Sequence, residues 1–257
     1  MFFAEKDGKR YTLMQQATTL EFDNFAIAFP SPNPISLFMN IAVREHNRAK
    51  ELYSEYIDKN LQYNCTLTID DEIMPKFLDY LEHVQTSVIT AYSAVEALSN
   101  VAIPIDYKLE KTNNKGILEI WNKENIERWT ATTEKIGKIV PKILKIESPN
   151  KLSFWNGFLE LEKTRNNIIH QKQSVHKPGQ IETNYLFGLV DISIFSYIKS
   201  AFDLITYFCQ QDQTHTYFPI LKDVPIKQIE VDNWDEFFKF DPYKFPSTES
   251  EESKKIR

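Results

Sequence analysis

The spacing of apolar residues changes along this chain, and each change marks a predicted element. Near the start, Phe2, Phe3 and Ala4 and then Tyr11, Leu13 and Met14 flank Asp7 and Gly8, a pairing that signals a β-hairpin. A third strand is predicted over residues 19–29, where Leu20, Phe22, Phe25, Ile27 and Phe29 come close to alternating. Ser31, Pro32, Asn33 and Pro34 then break the chain. Residues 1–33 therefore read as a small N-terminal β element.

From Ile35 the period lengthens to that of a helix. Leu37, Ile41, Ala42, Glu45, Ala49, Leu52 and Tyr56 predict one amphipathic helix running to about Asp58. Residues 62–69 suit a short strand, and Asp70 and Asp71 offer an N-cap to a second helix with Pro75 in its first turn. That second helix carries the clearest period: Phe77, Leu81, Val84, Val88, Tyr92, Val95 and Leu98, ending near Val101. Between Val84 and Leu98 almost every face is apolar or small, so it belongs at the centre of the fold. Pro104 and the polar residues 110–116 read as a loop, and residues 117–129 are ambiguous.

Residues 132–145 predict a helix with Ile136, Ile139, Ile143 and Leu144 opposite a face of Lys135, Lys138, Lys142 and Lys145; Pro141 must kink or restart it. Ser153 is placed to cap a further helix with the stripe Phe154, Phe158, Leu161, Arg165 and Ile168, closed by residues 172–180 with Pro178 and Gly179. A last long helix takes Tyr185, Leu189, Ile192, Phe195, Ile198, Phe202, Ile205 and Phe208. The expected fold is thus mainly α, a bundle of four or five helices over residues 34–212 behind the β element. Residues 213–257 form a C-terminal extension, its Ser/Glu-rich end from Pro246 expected to be disordered.

Composition narrows the chemistry. Only 6 glycines occur in 257 residues, which leaves little room for Gly-rich phosphate loops, nucleophile elbows or dinucleotide fingerprints, and none is found. Cys65 and Cys209 are too far apart for a metal-binding CxxC and suggest reduced, buried thiols. Met1–Ala4 run straight into Glu5, Lys6 and Asp7, unlike a signal peptide, and no apolar run is long enough to span a bilayer. A soluble, cytoplasmic protein without a membrane contact is expected. The net charge of −6 argues against broad non-specific binding of nucleic acid, so any RNA contact must rest on local residues.

One segment stands out chemically: Leu159-Glu160-Leu161-Glu162-Lys163-Thr164-Arg165-Asn166-Asn167-Ile168-Ile169-His170. Arg165 falls on the apolar stripe, where a desolvated guanidinium needs a carboxylate or lines a cleft meant for an anion. Its planar donors suit phosphate. His170 lies about 140° around an ideal helix from Arg165, whereas Asn166 and His170, four apart, share a face. Arg165 and His170 converge only if the helix loosens near its end.

An Arg, a polar residue and then a His after four intervening positions resembles the signature of HEPN domains. The helix Ala91-Tyr92-Ser93-Ala94-Val95-Glu96-Ala97-Leu98, with small residues around one acid, resembles a HEPN core helix. The resemblance spans roughly residues 77–210. It implies a metal-independent endoribonuclease of the toxin or phage-defence kind, without a cofactor, acting on RNA as a homodimer whose interface joins two motifs. An antitoxin or regulatory protein is a further partner it allows. In that reading His170 transfers protons, Arg165 stabilises charge on the phosphorus, Asn166 holds the imidazole or a phosphate oxygen, and Glu96 orients Arg165. One histidine cannot act on both sides of the phosphorus, an independent reason to expect a dimer. Lys135, Lys138, Lys142 and Lys145 would track RNA phosphates.

Plainer readings stand beside these. Arg165 with Glu96 would serve as a structural pair, His170 as a helix-terminal residue favoured by the macrodipole, and the lysines as a solvated face. His46, His83 and His215 have no partners at metal-ligand spacing, and His176 reads as a loop residue. Tyr185, Phe187, Phe195, Tyr197 and Phe202 read as core or dimer interface. A non-catalytic module binding nucleotide, RNA or protein is the alternative function, and a purely structural helical dimer the third.

Overall fold

The computed structural model of the chain describes residues 2–6, 9–13, 17–30, 33–58, 71–112, 115–170 and 185–211. Cys65, His176, His215 and the features predicted over residues 62–69, 172–180 and 213–257 lie outside them. The chain divides into two compact units, Met1–Ser31 with Pro225–Arg257, and Pro32–Val224.

In the first unit, strands β1 (Phe2–Lys6) and β2 (Lys9–Leu13) pair antiparallel, with Lys6 opposite Lys9. The predicted third strand is instead a second hairpin, β3 (Ala17–Phe22) and β4 (Phe25–Pro30), turning at Asp23 and Asn24. Asp and Asn favour such turns because their side chains bond back to the local backbone. The irregular alternation is the trace of this reversal: the apolar residues are even-numbered before the turn and odd-numbered after it. Leu20 faces Ile27 and Phe22 faces Phe25, so all four share one exposed side of the sheet. The rings of Phe22 and Phe25 stack 4.6 Å apart.

The second unit is a helical bundle. Helix α1 (Pro34–Leu52) starts at Asn33, whose side chain accepts from the N–H groups of Ile35 and Ser36. It continues through a π-helical turn, Tyr53–Ile57. Helix α2 (Met74–Val101) has Pro75 in its first turn, as expected, but starts at Ile73 with no side-chain cap rather than at an aspartate. It is the central element, packed against α1 and against two helices from later in the chain, Trp155–Ile169 and Ser193–Gln211. Val84, Val88, Ala91, Val95 and Leu98 have no exposed surface, each of the larger ones contributing about 1.5–3 kcal/mol by its removal from water.

After α2 the chain makes a hairpin where a loop was predicted: β5 (Leu109–Thr112) pairs with β6 (Leu118–Trp121). Residues 117–129, ambiguous in sequence, hold β6 and then helix α3 (Lys123–Trp129), capped by Asn122.

Helix α4 is one helical run in three stretches: Thr132–Glu134, a π-helical turn Lys135–Ile139, and Val140–Leu144. Pro141 has no N–H to give the carbonyl of Gly137, one turn back. The Ser148 hydroxyl supplies the missing bond to that carbonyl at 2.5 Å. The helix stops at Lys145, whose left-handed backbone (φ 58°) ends it without a glycine.

Helix α5 (Trp155–Ile169) comes after a short 3-10 turn and begins at Phe154, not at a Ser153 cap. Phe158, Leu161 and Ile168 are buried along its predicted stripe, joined by Thr164. Gly157 lets it approach its neighbour closely: a Cβ there would lie 2.1 Å from the Ser200 hydroxyl.

The expected last helix is two, α6 (Tyr185–Val190) and α7 (Ser193–Gln211). Asp191 makes the break, its carboxylate accepting the N–H of Ser193 at 2.8 Å, and its bonds to Ser193 hold its pKa below the usual value. Ile192, expected in the core, is 62% exposed at this break, and Phe187 is exposed too. Cys209 is buried in the core. Among the described residues no helix is long and apolar enough to cross a membrane.

Candidate anion site at the end of helix α5

Helix α2 brings three polar residues to one face at four-residue spacing, Tyr92, Glu96 and Asn100. Opposite them stand two cations, Arg165 on α5 and Lys135 on α4. The sequence suggested that Glu96 orients Arg165. The structure divides the partners differently.

Arg165 sits over the ring of Tyr92, its guanidinium carbon 5.0 Å from the ring centre. The negative face of the ring attracts the cation without accepting a conventional hydrogen bond. Nη1 donates to the side-chain oxygen of Asn166 at 3.0 Å. The Nε–H is buried and has no acceptor among the described residues. No carboxylate among the described residues forms an ion pair with it. An unpaired buried donor costs about 1–3 kcal/mol, so this arginine is held in place but not satisfied.

Tyr92 is itself fixed from two sides. Its hydroxyl donates to Glu162 at 2.8 Å, and its ring lies parallel to Phe158 with centroids 6.1 Å apart. Burial, with the charges of Glu162 and Glu96 behind it, pushes its pKa well above the usual tyrosine value. The phenol is therefore neutral and a donor through the physiological range.

Glu96 forms an ion pair with neither cation, and its charge acts on Lys135. Lys135 is 1% exposed and donates to the side-chain oxygen of Asn100 at 2.6 Å. Burial lowers its pKa, while the charges of Glu96 and Glu127 oppose that shift. Glu96 is thus one helical turn beyond the residue that holds Arg165, and its field falls on Lys135. This corrects a second expectation as well. Lys135 does not share an exposed face with Lys138, Lys142 and Lys145, which are solvent-exposed. A π-helical turn carries an extra residue, so the spacing that would have aligned the four lysines on a regular helix turns Lys135 inward.

Asn166 and His170 are exposed on the last turns of α5. His170 ends the helix with φ −107° and ψ 50°, its N–H still bonded to the Asn166 carbonyl at 2.9 Å. The helix loosens only there. Its imidazole makes no hydrogen bond among the described residues, and none joins it to Arg165.

Two other histidines have partners that spacing in sequence did not reveal. His83 Nδ1 lies 2.6 Å from Glu45 across the α1–α2 contact, lowering the pKa of that carboxylate. His46 is enclosed between Phe195 and Phe202 of α7, and burial lowers its pKa. Among the described residues no three His, Cys, Asp or Glu side chains gather as a metal ion would require.

The chain matches no known family model, no characterised protein and no solved structure.

Proposed function

We propose that this protein is a metal-independent endoribonuclease of the toxin or phage-defence kind, in which Arg165 receives the phosphate. The observation that carries the reading is the state of that arginine. It is half-buried, fixed over Tyr92, unpaired with any carboxylate of the described residues, and on the same helix end as an exposed histidine. A guanidinium kept from its own carboxylates is suited to hold an anion, and its planar donors match a phosphodiester.

The RNA supplies its own nucleophile. The 2′-hydroxyl attacks the adjacent phosphorus, its proton passes to a base, and the P–O5′ bond breaks as the leaving oxygen gains a proton. A 2′,3′-cyclic phosphate and a 5′-hydroxyl end result. His170 serves as one proton carrier, exposed at the helix end where a substrate can reach it. Arg165 stabilises the charge gathered on the non-bridging oxygens. Asn166 already accepts from Arg165 and holds that side chain toward the helix end. A second copy of the chain supplies the second histidine, and exposed Ile169, Phe187 and Ile192 are the apolar surface we assign to that dimer.

The test is cleavage of mixed cellular RNA in EDTA by the wild type and by His170→Ala, with folding matched. Cleavage that survives the chelator and vanishes in the variant supports the proposal; intact RNA with both proteins across several RNA types refutes it. The second reading is a non-catalytic binding module for nucleotide, RNA or protein. The lack of a hydrogen bond to the His170 imidazole among the described residues favours it, since catalytic bases are commonly oriented by a partner. There Arg165→Ala weakens binding while His170→Ala is silent.

A further inference from the structure

On a helix surface Glu162 and Arg165, three residues apart, are natural ion-pair partners. They lie on consecutive turns of α5, both half-buried, yet no ion pair joins them. The carboxylate of Glu162 is engaged elsewhere, accepting the Tyr92 hydroxyl at 2.8 Å. The same tyrosine carries the Arg165 guanidinium on its ring. One side chain from the central helix thus touches both members of the missing pair, bonding the acid with its edge and the cation with its face.

We propose that Tyr92 is a positioning residue that keeps the Arg165 site open to an RNA phosphate by holding Glu162 away from it. The proposal rests on the reading of Arg165 as an anion site. A carboxylate within reach of an unsatisfied guanidinium competes with any phosphate for the same donors, and as part of the chain it competes at high effective concentration. The tyrosine hydroxyl removes that competitor by giving the acid another donor. The ring face contributes attraction without consuming N–H groups, so the guanidinium is immobilised while its donors, apart from the one given to Asn166, stay unfilled. Phenylalanine would keep the ring and release the acid. Glu162 would then turn to Arg165 and close the site from within.

The test uses the full chain and a labelled single-stranded RNA with 2′-O-methyl groups, which cannot be cleaved, followed by fluorescence anisotropy in EDTA. Tyr92→Phe is expected to weaken binding about tenfold, Glu162→Gln to leave it unchanged or tighten it, and the double variant to bind like wild type. A purely structural tyrosine would give no such rescue. Unchanged binding by Tyr92→Phe, or a double variant as weak as the single one, overturns the proposal. Arg165→Ala separates it from the reading beneath: if that variant binds RNA as wild type does, Arg165 is no phosphate site, and both fail together. If Arg165→Ala binds weakly but Tyr92→Phe does not, only the role given to Tyr92 fails.

Urea melts give a readout that needs no RNA. Arg165→Gln and Glu162→Gln share Tyr92 as a partner, so their midpoint shifts carry some coupling in its presence. In the Tyr92→Phe background that coupling should grow, as for a formed pair. Equal coupling in both backgrounds also overturns the proposal.

Discussion

Arg165 and Lys135 are two cations that packing has drawn out of water on the same side of helix α2, and they are provided for in opposite ways. Lys135 is enclosed, bonded to Asn100 at 2.6 Å and placed in the field of Glu96 and Glu127. Arg165 is only half-buried, yet it has a ring, one amide oxygen and an Nε–H with no acceptor among the described residues. The more deeply buried group is the one that is satisfied. Burial of a charge therefore does not by itself mark a functional site here; what separates the two is whether a buried donor is left without an acceptor. Lys135 belongs to the core's own polar network, and Arg165 has capacity to spare.

Stability should divide them most sharply. Lys135→Ala removes the shorter of the two hydrogen bonds to the Asn100 side-chain oxygen, takes away a cation whose charge interacts with Glu96 and opens a cavity, so it should cost about 2–4 kcal/mol in urea unfolding. Arg165→Ala loses a cation–π contact but also relieves an orphaned donor, so it should stay within about 1 kcal/mol of wild type. Equal losses would erase the distinction and return Arg165 to a structural role. Binding should then reverse the order. Arg165→Ala should lower affinity for single-stranded RNA about tenfold, near 1.4 kcal/mol, while folded Lys135→Met binds as wild type does.

The pH dependence offers a smaller contrast. Burial puts the Lys135 pKa below the ordinary 10.5, so between the lowered value and 10.5 the unfolded chain binds more protons than the folded one. Stability from this group must rise with pH across that window. Tyr92 acts in the opposite sense, its pKa raised above 10.0, so its contribution is complete below that value and is lost as pH climbs through the raised one. Lys135→Met removes the first effect alone. The stability of wild type relative to this variant should increase from neutral pH toward 10.5, and a flat difference in urea midpoints would contradict the burial of the ammonium.

Much of the bundle was legible because its helices are long and one-sided. The period from Leu81 to Leu98 describes α2 well, and Phe158, Leu161 and Ile168 mark the buried side of α5. Breaks were harder to read, since short local bonds decide them. Asp191 splits the last helix by accepting a single N–H, although the apolar spacing runs on through Ile192. Arg165 could be singled out because a guanidinium on an apolar stripe demands an explanation. Its partner could not, because Tyr92 looked like any core aromatic and Glu96 was the more obvious charge. Only the packing of α2 on α5 shows that Tyr92 lies under the arginine, one turn away from the acid. Lys135 defied its spacing for a different reason: the π-helical turn changes which residues share a face, and no single residue type announces it.

The altered lysine face carries the weakest expectation and the finest test of the comparison. If RNA runs along α4 toward Arg165, Lys138, Lys142 and Lys145 should each neutralise about one phosphate, and Lys135 none. Each contact on a single strand contributes a slope of about 0.7 to the fall of log affinity with log salt. Replacing Lys138, Lys142 or Lys145 by Gln should flatten the slope by that amount for every lysine on the path, whereas Lys135→Met leaves it unchanged. A slope unaffected by all three would show that the exposed face is merely solvated, and would confine the electrostatic contact to the helix end where Arg165 stands. A flattened slope in Lys135→Met would mean that the ammonium reaches the RNA, which its burial against Asn100 forbids.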